Sequence, residues 1–240
     1  MLIEHRAYTA RPGHLKAFFE AQIERGFPLV QPILDRLVGF FSTTAGPDDQ
    51  IVHLYRFDSY EDWVKRLHGL YGVAALQPYF AKVRPMMLAQ ANKFLVPAPV
   101  AALTPYLGNG NDWLPGQRTV GRASPEWLVD ETTATLFPGG LPKYWEAARD
   151  PALGTGSVAN EHLFGVFYSL VGQQHEVLTY RYYPSFTARE THRESLARST
   201  PWRTFMQTVS TLAAKSETKL LRPAPIAQMS PLFQHKEDAE

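Results

Sequence analysis

The chain has 240 residues with 24 basic and 23 acidic side chains, and it contains no cysteine. Its length allows one large domain or two small ones. The balanced charge makes nucleic acid and anionic membranes poor partners, and the lack of cysteine excludes disulfides and thiolate nucleophiles.

The N-terminal sequence lacks the charged region, apolar core and cleavage site of a secretory signal. No apolar run approaches the ~18 residues that a membrane-spanning helix requires. We therefore expect a soluble, cytoplasmic protein that does not bind membranes, with residues 234–240 forming a flexible polar tail.

The first part of the chain predicts strands and helices in a regular order. Alternating or aromatic-rich stretches predict strands at residues 2–9, 37–44, 50–57 and 92–96. Apolar residues at helical spacing from Leu15 to Ile23 predict the first helix. Ser59 is the expected N-cap of a second helical region that runs to about Gln90. The resulting β-α-β-β-α-β order is that of a ferredoxin-like unit, in which helices cover one face of a four-stranded sheet.

The chain contains two copies of one sequence pattern. KFLVPAPVAALTP, which begins at Lys93, recurs 126 residues later as KLLRPAPIAQMSP from Lys219. The same offset aligns LVGFFSTTAG from Leu37 with LFGVFYSLVG from Leu163 without a gap. Such a fixed period is typical of a duplicated structural unit.

This repeat divides the chain into two predicted α+β domains. We place the first repeat at residues 1–107 and the second at 127–233, joined by a linker at 108–126 that is rich in Gly, Asn and Pro. Because one sheet face of each repeat lacks helices, the two bare faces are expected to associate. We therefore predict two ferredoxin-like β-α-β-β-α-β units packed sheet to sheet, as a pseudo-dimeric α+β barrel within one chain.

Four motifs in the first repeat are shared with a known family. They are E-x-R-x-Y at Glu4, Arg6 and Tyr8, G-P-x-x-Q-x-V-H-L at residues 46–54, A-K-V-R-P at residues 81–85 and Q-x-N-x-x-L-x-P at residues 90–97. The first repeat therefore resembles the NIPSNAP family, a branch of the dimeric α+β barrel superfamily. The resemblance implies the barrel fold but no single reaction, because the superfamily includes monooxygenases, cyclases, isomerases, haem enzymes and proteins without known chemistry.

The second repeat resembles the family only through the first. Asp130, Thr132 and Ala134 stand at the E-x-R-x-Y positions. Thr179 stands where the first repeat has His53. The site residues that the resemblance implies are therefore expected in the first repeat alone.

Five residues of the first repeat are candidate site residues. Glu4, Arg6 and Tyr8 alternate along the first strand and share one face of the sheet. If helices cover the opposite face, these three side chains point into the barrel. His53 and Tyr55 share a face of the third strand, which lies beside the first strand in this fold, so both sets are expected in one pocket.

Each of these residue types suits a role in proton-transfer chemistry. Arg6 would bind a substrate oxygen, with Glu4 holding the guanidinium or acting as a base. His53 would be a general acid or base, because its ordinary pKa of ~6.5 lies near neutrality. Tyr55 would donate a hydrogen bond to a developing oxyanion, and Tyr8 completes the predicted catalytic set. The alternatives are structural, namely a Glu4–Arg6 ion pair and a core position for His53.

Two hypotheses for the function follow. The first is a cofactor-independent enzyme that acts by proton transfer on a small aromatic or carbonyl compound, as an isomerase, cyclase, lyase or monooxygenase. The second is a non-catalytic small-molecule-binding or scaffold protein. The enzyme hypothesis requires a pocket of roughly a few hundred cubic ångström beside Arg6 and His53, and it fails if those side chains face the helices.

Other candidate sites are weaker. The second repeat offers four titratable residues without a matching set, His162, His175, Glu176 and Arg181. The sequence contains no H-x-H or H-E-x-x-H motif, so no metal site is expected. Haem is a minor alternative within the superfamily, with His68 or His192 as its axial ligand. The expected partners are a small molecule and a second copy of the chain, as a homodimer of the fused repeats.

Overall fold

The computed structural model describes residues 1–106 and 119–235, which form two compact units. Unit 1 holds Met1–Phe94 and the segment that begins at Arg222. Unit 2 holds Ser124–Leu221 and the segment that begins at Leu95. Most of the predicted linker (108–118) and most of the predicted tail (236–240) lie outside the described residues, and the predicted repeat boundaries stay a prediction.

The first repeat folds into four strands and four helices. The strands are β1 (Leu2–Ala10), β2 (Leu37–Ala45), β3 (Gln50–Phe57) and β4 (Met87–Pro97). The helices are α1 (Leu15–Arg25), α2 (Gln31–Leu34), α3 (Tyr60–Tyr71) and α4 (Gln77–Val83). β3 pairs antiparallel with both β1 and β2. Ser59 caps α3, since its Oγ accepts a hydrogen bond from the Asp62 amide at 3.3 Å. These elements confirm the predicted order.

The second helical region ends earlier than predicted. A 3₁₀ turn at Arg84–Met86 closes it, and β4 begins at Met87 rather than at residue 92. Pro85 within the turn cannot donate a backbone hydrogen bond and prevents the helix from continuing. Residues 88–92 of β4 are exposed, so they lack the alternating apolar pattern by which the rest of this strand was recognised.

The second repeat follows the same order after a short strand, β5 (Gly121–Arg122). Its long strands are β6 (Leu128–Leu136), β7 (Leu163–Val171), β8 (Glu176–Tyr183) and β9 (Ala213–Pro223). Its helices are α5 (Gly140–Ala148), α6 (Phe186–Arg198) and α7 (Thr200–Leu212). β6 pairs antiparallel with β8 and β9, and β8 pairs antiparallel with β7. A final strand, β10 (Phe233–Gln234), runs parallel to β5 in unit 1.

The eight long strands follow one another in the order β1-β3-β2-β9-β6-β8-β7-β4, which closes into a barrel. The boundaries of the compact units fall inside β4 and β9. Just beyond β4, the Ala98 amide donates to the Val166 carbonyl within unit 2 at 2.8 Å. Just beyond β9, the Ala224 amide donates to the Phe40 carbonyl within unit 1, also at 2.8 Å.

Each unit has its own hydrophobic core between its sheet and its helices. In unit 1, Phe18 and Phe19 of α1 pack against Phe40 and other sheet residues. Met229, from the segment that follows β9, belongs to the same core and is 2% exposed. The core of unit 2 is built in the same way around Trp145, and it includes residues that follow β4.

A glycine followed by a phenylalanine two residues later recurs in β2 and β7. Gly39 and Gly165 both lie at a shift in the strand register. A Cβ atom on Gly39 would lie 2.3 Å from Cζ of Phe41, and one on Gly165 would lie 3.0 Å from Cζ of Phe167. The repeated glycine is therefore needed because a buried aromatic ring lies over the backbone there.

Candidate functional site

The register of β1 and β3 places the two predicted sets of polar residues side by side. Arg6 lies opposite His53, and Glu4 lies opposite Tyr55. Directly opposed residues, and residues two apart on one strand, point to the same face of a sheet. The prediction that these strands are neighbours and that their polar residues meet is confirmed.

The shared face is the one that the helices cover. Arg6 and His53 line a pocket together with Gln22 of α1 and with Tyr79 and Phe80 of α4. The prediction that Glu4, Arg6 and Tyr8 point into the barrel is therefore wrong. Residues on the other face of these strands, such as Ile3, Val52 and Leu54, are fully buried as well. Because both faces are buried, apolar alternation does not show which face the helices cover.

The pocket has a volume of about 140 Å³. A cavity of about 150 Å³ holds one benzene ring, so this pocket has room for a single ring. The expected volume of a few hundred cubic ångström was wrong as well. The hypothesis of an enzyme with its site in the barrel interior therefore fails on both of its conditions, and the candidate residues converge instead in the pocket that the helices cover.

Arg6 is held by Glu4. Its Nη2 atom donates to Oε2 of Glu4 at 2.7 Å, and its guanidinium lies 4.8 Å above the Tyr55 ring. Burial disfavours the charge of Arg6, but Glu4 outweighs burial and raises the Arg6 pKa. Oε1 of Glu4 accepts from Nδ2 of Asn92 at 3.3 Å. Glu4 is thus engaged by two partners and is not in the described lining of the pocket, which favours the holding role over that of a base.

His53 is a buried imidazole with one open nitrogen. Its ring packs between Phe40 and Tyr8, with centroids 4.5 Å and 4.7 Å away. Nδ1 lies 3.4 Å from the Tyr55 hydroxyl, whereas Nε2 has no hydrogen-bond partner among the described residues. Burial, followed by the charges of Arg6 and His5, lowers the pKa of His53 well below 6.5. The side chain is therefore neutral at pH 7, and a buried nitrogen without a partner points to a ligand or water.

The two tyrosines of the site remain protonated. Burial raises the pKa of Tyr55, although the nearby Arg6 charge acts in the opposite direction. Burial also raises the pKa of Tyr8, which is half-buried at the edge of the pocket. Both hydroxyl groups can therefore donate a hydrogen bond to a ligand oxygen near neutral pH.

Sequence reasoning missed the polar residues on the helix side of the pocket. Nε2 of Gln22 donates to the Tyr79 hydroxyl, and Nη1 of Arg25 donates to Oε1 of Gln22 at 2.7 Å. The guanidinium of Arg25 lies 4.7 Å above the Tyr79 ring. The available signal was Gln22 itself, a polar residue one helical turn after Phe18 on the apolar face of α1, and 3% exposed.

The pocket is positively charged. Its described lining contains Arg6, Arg25 and Arg84 and no aspartate or glutamate. The rest of the lining is mainly aromatic and aliphatic, including Phe18, Phe40, Phe80 and Tyr71. A site of this composition favours a flat, apolar ligand that carries negative charge or a polarised oxygen.

Unit 2 has a different set of residues at the matching positions. Thr132 and Thr179 lie opposite each other where unit 1 has Arg6 and His53. Arg181, at the position of Tyr55, is 8% exposed and packs over the Trp202 ring of α7 at 5.5 Å. It therefore faces the helices of its own unit. Burial raises the pKa of Tyr144, on α5, to about 12.

The other candidates of the second repeat are dispersed. His175 lies in the turn before β8 with a φ of 61°, and Glu176 is the first residue of that strand. His162 precedes β7 and shares an open surface groove with His192. The structure does not bring these residues into a set like that of unit 1.

The histidines considered for haem do not fit an axial ligand. Both ring nitrogens of His192 are in hydrogen bonds, Nδ1 with the Tyr183 hydroxyl at 2.9 Å and Nε2 with the Val158 carbonyl at 2.8 Å. His68 is exposed on α3. Within residues 1–106 and 119–235, no three side chains of the metal-binding types are grouped to hold a metal ion, and no helix is long and apolar enough to cross a membrane.

Comparison with known proteins identifies the family. The NIPSNAP family model matches residues 3–102 and matches again at residues 130–228. The chain belongs to the NIPSNAP family. The double match confirms that this NIPSNAP protein is a tandem duplication. No curated protein matches the chain.

Solved structures resemble this NIPSNAP chain over nearly its whole length. A candidate monooxygenase from Lactobacillus acidophilus matches with a TM-score of 0.60 and 9% identity, over 92% of this chain and 93% of its own. A candidate monooxygenase from Fusobacterium nucleatum matches with a TM-score of 0.58 and 11% identity, over 92% of this chain and 91% of its own. With the closed strand order, these likenesses confirm the predicted α+β barrel. An uncharacterised NIPSNAP-like domain protein from Burkholderia xenovorans is 31% identical over 41% of this chain and 85% of its own, with a TM-score of 0.39.

Proposed function

We propose that unit 1 binds a small aromatic acid, phenol or aryl ketone in the pocket beneath α1 and α4, and that His53 transfers a proton of the bound compound. The observation that carries the proposal is the neutral, buried imidazole of His53, whose Nε2 has no partner among the described residues and which lies opposite Arg6. A ligand oxygen or acidic C–H group would supply the missing partner.

Arg6 and the aromatic walls account for binding. A ligand anion or polarised oxygen beside Arg6 gains a charge-assisted hydrogen bond, and a flat ring fits against the aromatic and aliphatic walls in a volume of about 140 Å³. The hydroxyl groups of Tyr8 and Tyr55 supply neutral donors for an oxygen of the same ligand. Binding therefore selects small, planar compounds with an electron-rich oxygen.

Proton transfer follows from the charge balance. In the empty pocket Arg6 helps to hold the pKa of His53 low. An anion on Arg6 offsets that positive charge, so the imidazole becomes a better base when the ligand arrives. The charge on the deprotonated compound would be stabilised by Arg6 and by the two phenol groups. This chemistry uses only protein side chains, and it serves isomerisation, cyclisation or bond cleavage. Oxygen insertion, the class named for the two barrel neighbours, would also require dioxygen, of which one atom enters the compound and the other leaves as water.

Non-catalytic binding is the second candidate function. Arg6 is already neutralised by Glu4, and the volume of about 140 Å³ leaves no room for a co-substrate beside one ring. In that case the same pocket holds a small aromatic anion without changing it.

The binding step is tested by calorimetric titration of the full chain with benzoate and phenol. Arg6→Gln alone would strand the buried Glu4 carboxylate, so the informative variant is the neutral pair Glu4→Gln/Arg6→Gln. We expect this variant to bind phenol about ten-fold or more weakly, since a hydrogen bond to a charged group is lost. Arg198→Gln, an exposed change in α6 of unit 2, is the control. Failure of the folded wild type to bind either compound would rule the proposal out.

The chemical step is tested by hydrogen–deuterium exchange. Acetophenone has one ring and exchangeable hydrogens beside its carbonyl, and NMR in heavy water follows their replacement. We expect wild type to accelerate exchange and His53→Gln to abolish the acceleration. Binding without any accelerated exchange would establish the non-catalytic function instead.

A further inference from the structure

We infer that Arg25 is a second anchor for the ligand of this pocket, so that the ligand carries two oxygen functions on one ring, with a carboxylate at Arg25. The inference rests on the proposed function and narrows it from small aromatic anions in general to hydroxy- or dicarboxy-substituted aromatic acids. It is carried by the surroundings of Arg25 on the helix side of the pocket.

Arg25 has no counterion among the described residues. Its Nε donates to the Gly26 carbonyl at 2.8 Å and its Nη1 to the Gln22 amide oxygen at 2.7 Å. Its guanidinium also lies over the rings of Tyr79 and Phe27, at 4.7 Å and 5.7 Å, and none of these groups is an anion. Within the described residues no carboxylate lies at ion-pair distance from it. A half-buried guanidinium in this situation gains most from an anionic ligand.

The contrast with Arg6 indicates a division of roles. The charge of Arg6 is balanced by Glu4 at 2.7 Å, so Arg6 gains less from a second negative charge and suits a phenol, phenolate or carbonyl oxygen. Arg25 has an unbalanced charge, which burial disfavours and only neutral neighbours support, so the pKa of Arg25 is lowered. A carboxylate therefore gains more at Arg25 than at Arg6.

The side chains around Arg25 hold it in place. Gln22 is 3% exposed, accepts from Arg25 through Oε1 and donates through Nε2 to the Tyr79 hydroxyl. The guanidinium therefore lies against a chain of hydrogen bonds that links α1 to α4. Such a pre-ordered group loses little side-chain entropy when it binds a ligand.

The two arginines belong to different walls of one small pocket. Arg6 comes from β1 with the sheet, and Arg25 comes from the last turn of α1. Both line the pocket of about 140 Å³, which admits one ring. Two oxygen functions must therefore be substituents of the same ring, held from the sheet side and the helix side.

The test compares four probes on the full chain by calorimetry: phenol, benzoate, 3-hydroxybenzoate and 4-hydroxybenzoate. We expect a hydroxybenzoate to bind more tightly than phenol or benzoate. Arg25→Gln should weaken binding of benzoate and hydroxybenzoate about ten- to hundred-fold and change phenol binding by less than about two-fold. Arg25→Lys, which keeps the charge and loses the planar fork, should recover part of the loss.

The outcomes separate this inference from the proposed function. If Glu4→Gln/Arg6→Gln weakens all probes while Arg25→Gln changes none, the second anchor is excluded and the binding function stands. If Arg25→Gln weakens phenol as much as benzoate, Arg25 shapes the pocket without binding a carboxylate, and the inference is again excluded. If the folded wild type binds none of the probes, the proposed function itself is wrong. Thermal unfolding of each variant shows that it is folded when tested.

Discussion

Arg6 and His53 lie opposite each other on neighbouring strands, and the charge of one suppresses the charge of the other. Arg6 keeps its charge because Glu4 lies 2.7 Å away. Burial and then Arg6 keep His53 neutral by lowering its pKa. A ligand anion at Arg6 would relieve this suppression, so ligand binding and the proton on His53 are coupled.

We predict that the protein loses stability as the pH falls below about 6.5, the ordinary pKa of histidine. Because the folded pKa of His53 is lowered, the unfolded chain binds a proton that the folded chain excludes. The stabilisation is therefore complete above the ordinary pKa and declines as the pH falls towards the folded pKa. The decline is about 1.4 kcal/mol per pH unit for each such histidine.

Urea unfolding at several pH values between about 5 and 8 measures how the free energy of unfolding changes with pH. This pH range covers the ordinary titration of histidine. His53→Gln should lessen the slope, although buried His192, whose pKa burial also lowers, keeps part of it. An equal slope in wild type and variant would contradict the assigned state of His53.

At the scale of elements, β2 and β7 share a local distortion that the repeat preserved. In each strand a glycine lies at the register shift and an aromatic ring lies over it. Phe41 and Phe167 are both 1% exposed, so neither ring can move into solvent without leaving a core. The shared G-x-F pattern thus records a packing requirement of the sheet.

The aromatic ring lies closer to the glycine in β2 than in β7. Substituting each glycine by alanine therefore gives a matched pair of variants whose stabilities can be compared. Gly39→Ala places a Cβ 2.3 Å from Phe41 and should destabilise the fold by about 1–3 kcal/mol through overpacking. Gly165→Ala meets Phe167 at 3.0 Å and should cost less, because a small shift relieves the contact. Urea unfolding compares them, and Phe41→Leu should restore part of the loss in Gly39→Ala. Equal losses at both positions would argue against ring contact as the cause.

Strand order and the pairing of β1 with β3 were predictable, because alternation, caps and turns are encoded locally. The sequence could not predict which face of the sheet, the helix-covered one or the barrel-facing one, carries the candidate site residues. Residues such as Ile3 and Tyr8 make both faces of β1 apolar enough to be covered, and only the placement of α1 and α4 decides between them. Arg25 was missed for a related reason: it matters because no described residue provides a counterion for it, and this is a property of the folded pocket.

At the scale of the whole molecule, both repeats build the barrel, but only the first carries the candidate site residues. Both repeats kept the glycines and prolines that build the barrel, but Thr132 and Thr179 replace the Arg6 and His53 pair in the second. Unit 1 nevertheless depends on the far end of the chain, because Met229 belongs to its core and lines its pocket. A site in the first repeat therefore requires the C-terminal segment of the second.

Met229→Ala should show this dependence. The loss of a buried methionine side chain is expected to cost about 2–5 kcal/mol and to weaken benzoate binding to unit 1. Leu103, at the matching position of the repeat, is half-buried against the core of unit 2. Leu103→Ala should therefore leave benzoate affinity unchanged, as calorimetry and urea unfolding can measure. Equal effects of the two changes on binding would show that the C-terminal segment has no special part in the site.

Because Met229 belongs to unit 1, the core of unit 1 can be completed only late in translation. A ribosome that has finished Phe94 has made most of unit 1, yet the residues that complete its core are still unmade. The interval before Met229 emerges is on the order of ten seconds at ordinary elongation rates. During that interval the nascent first repeat exposes apolar surface, and the pocket can acquire its ligand only after Met229 has been made.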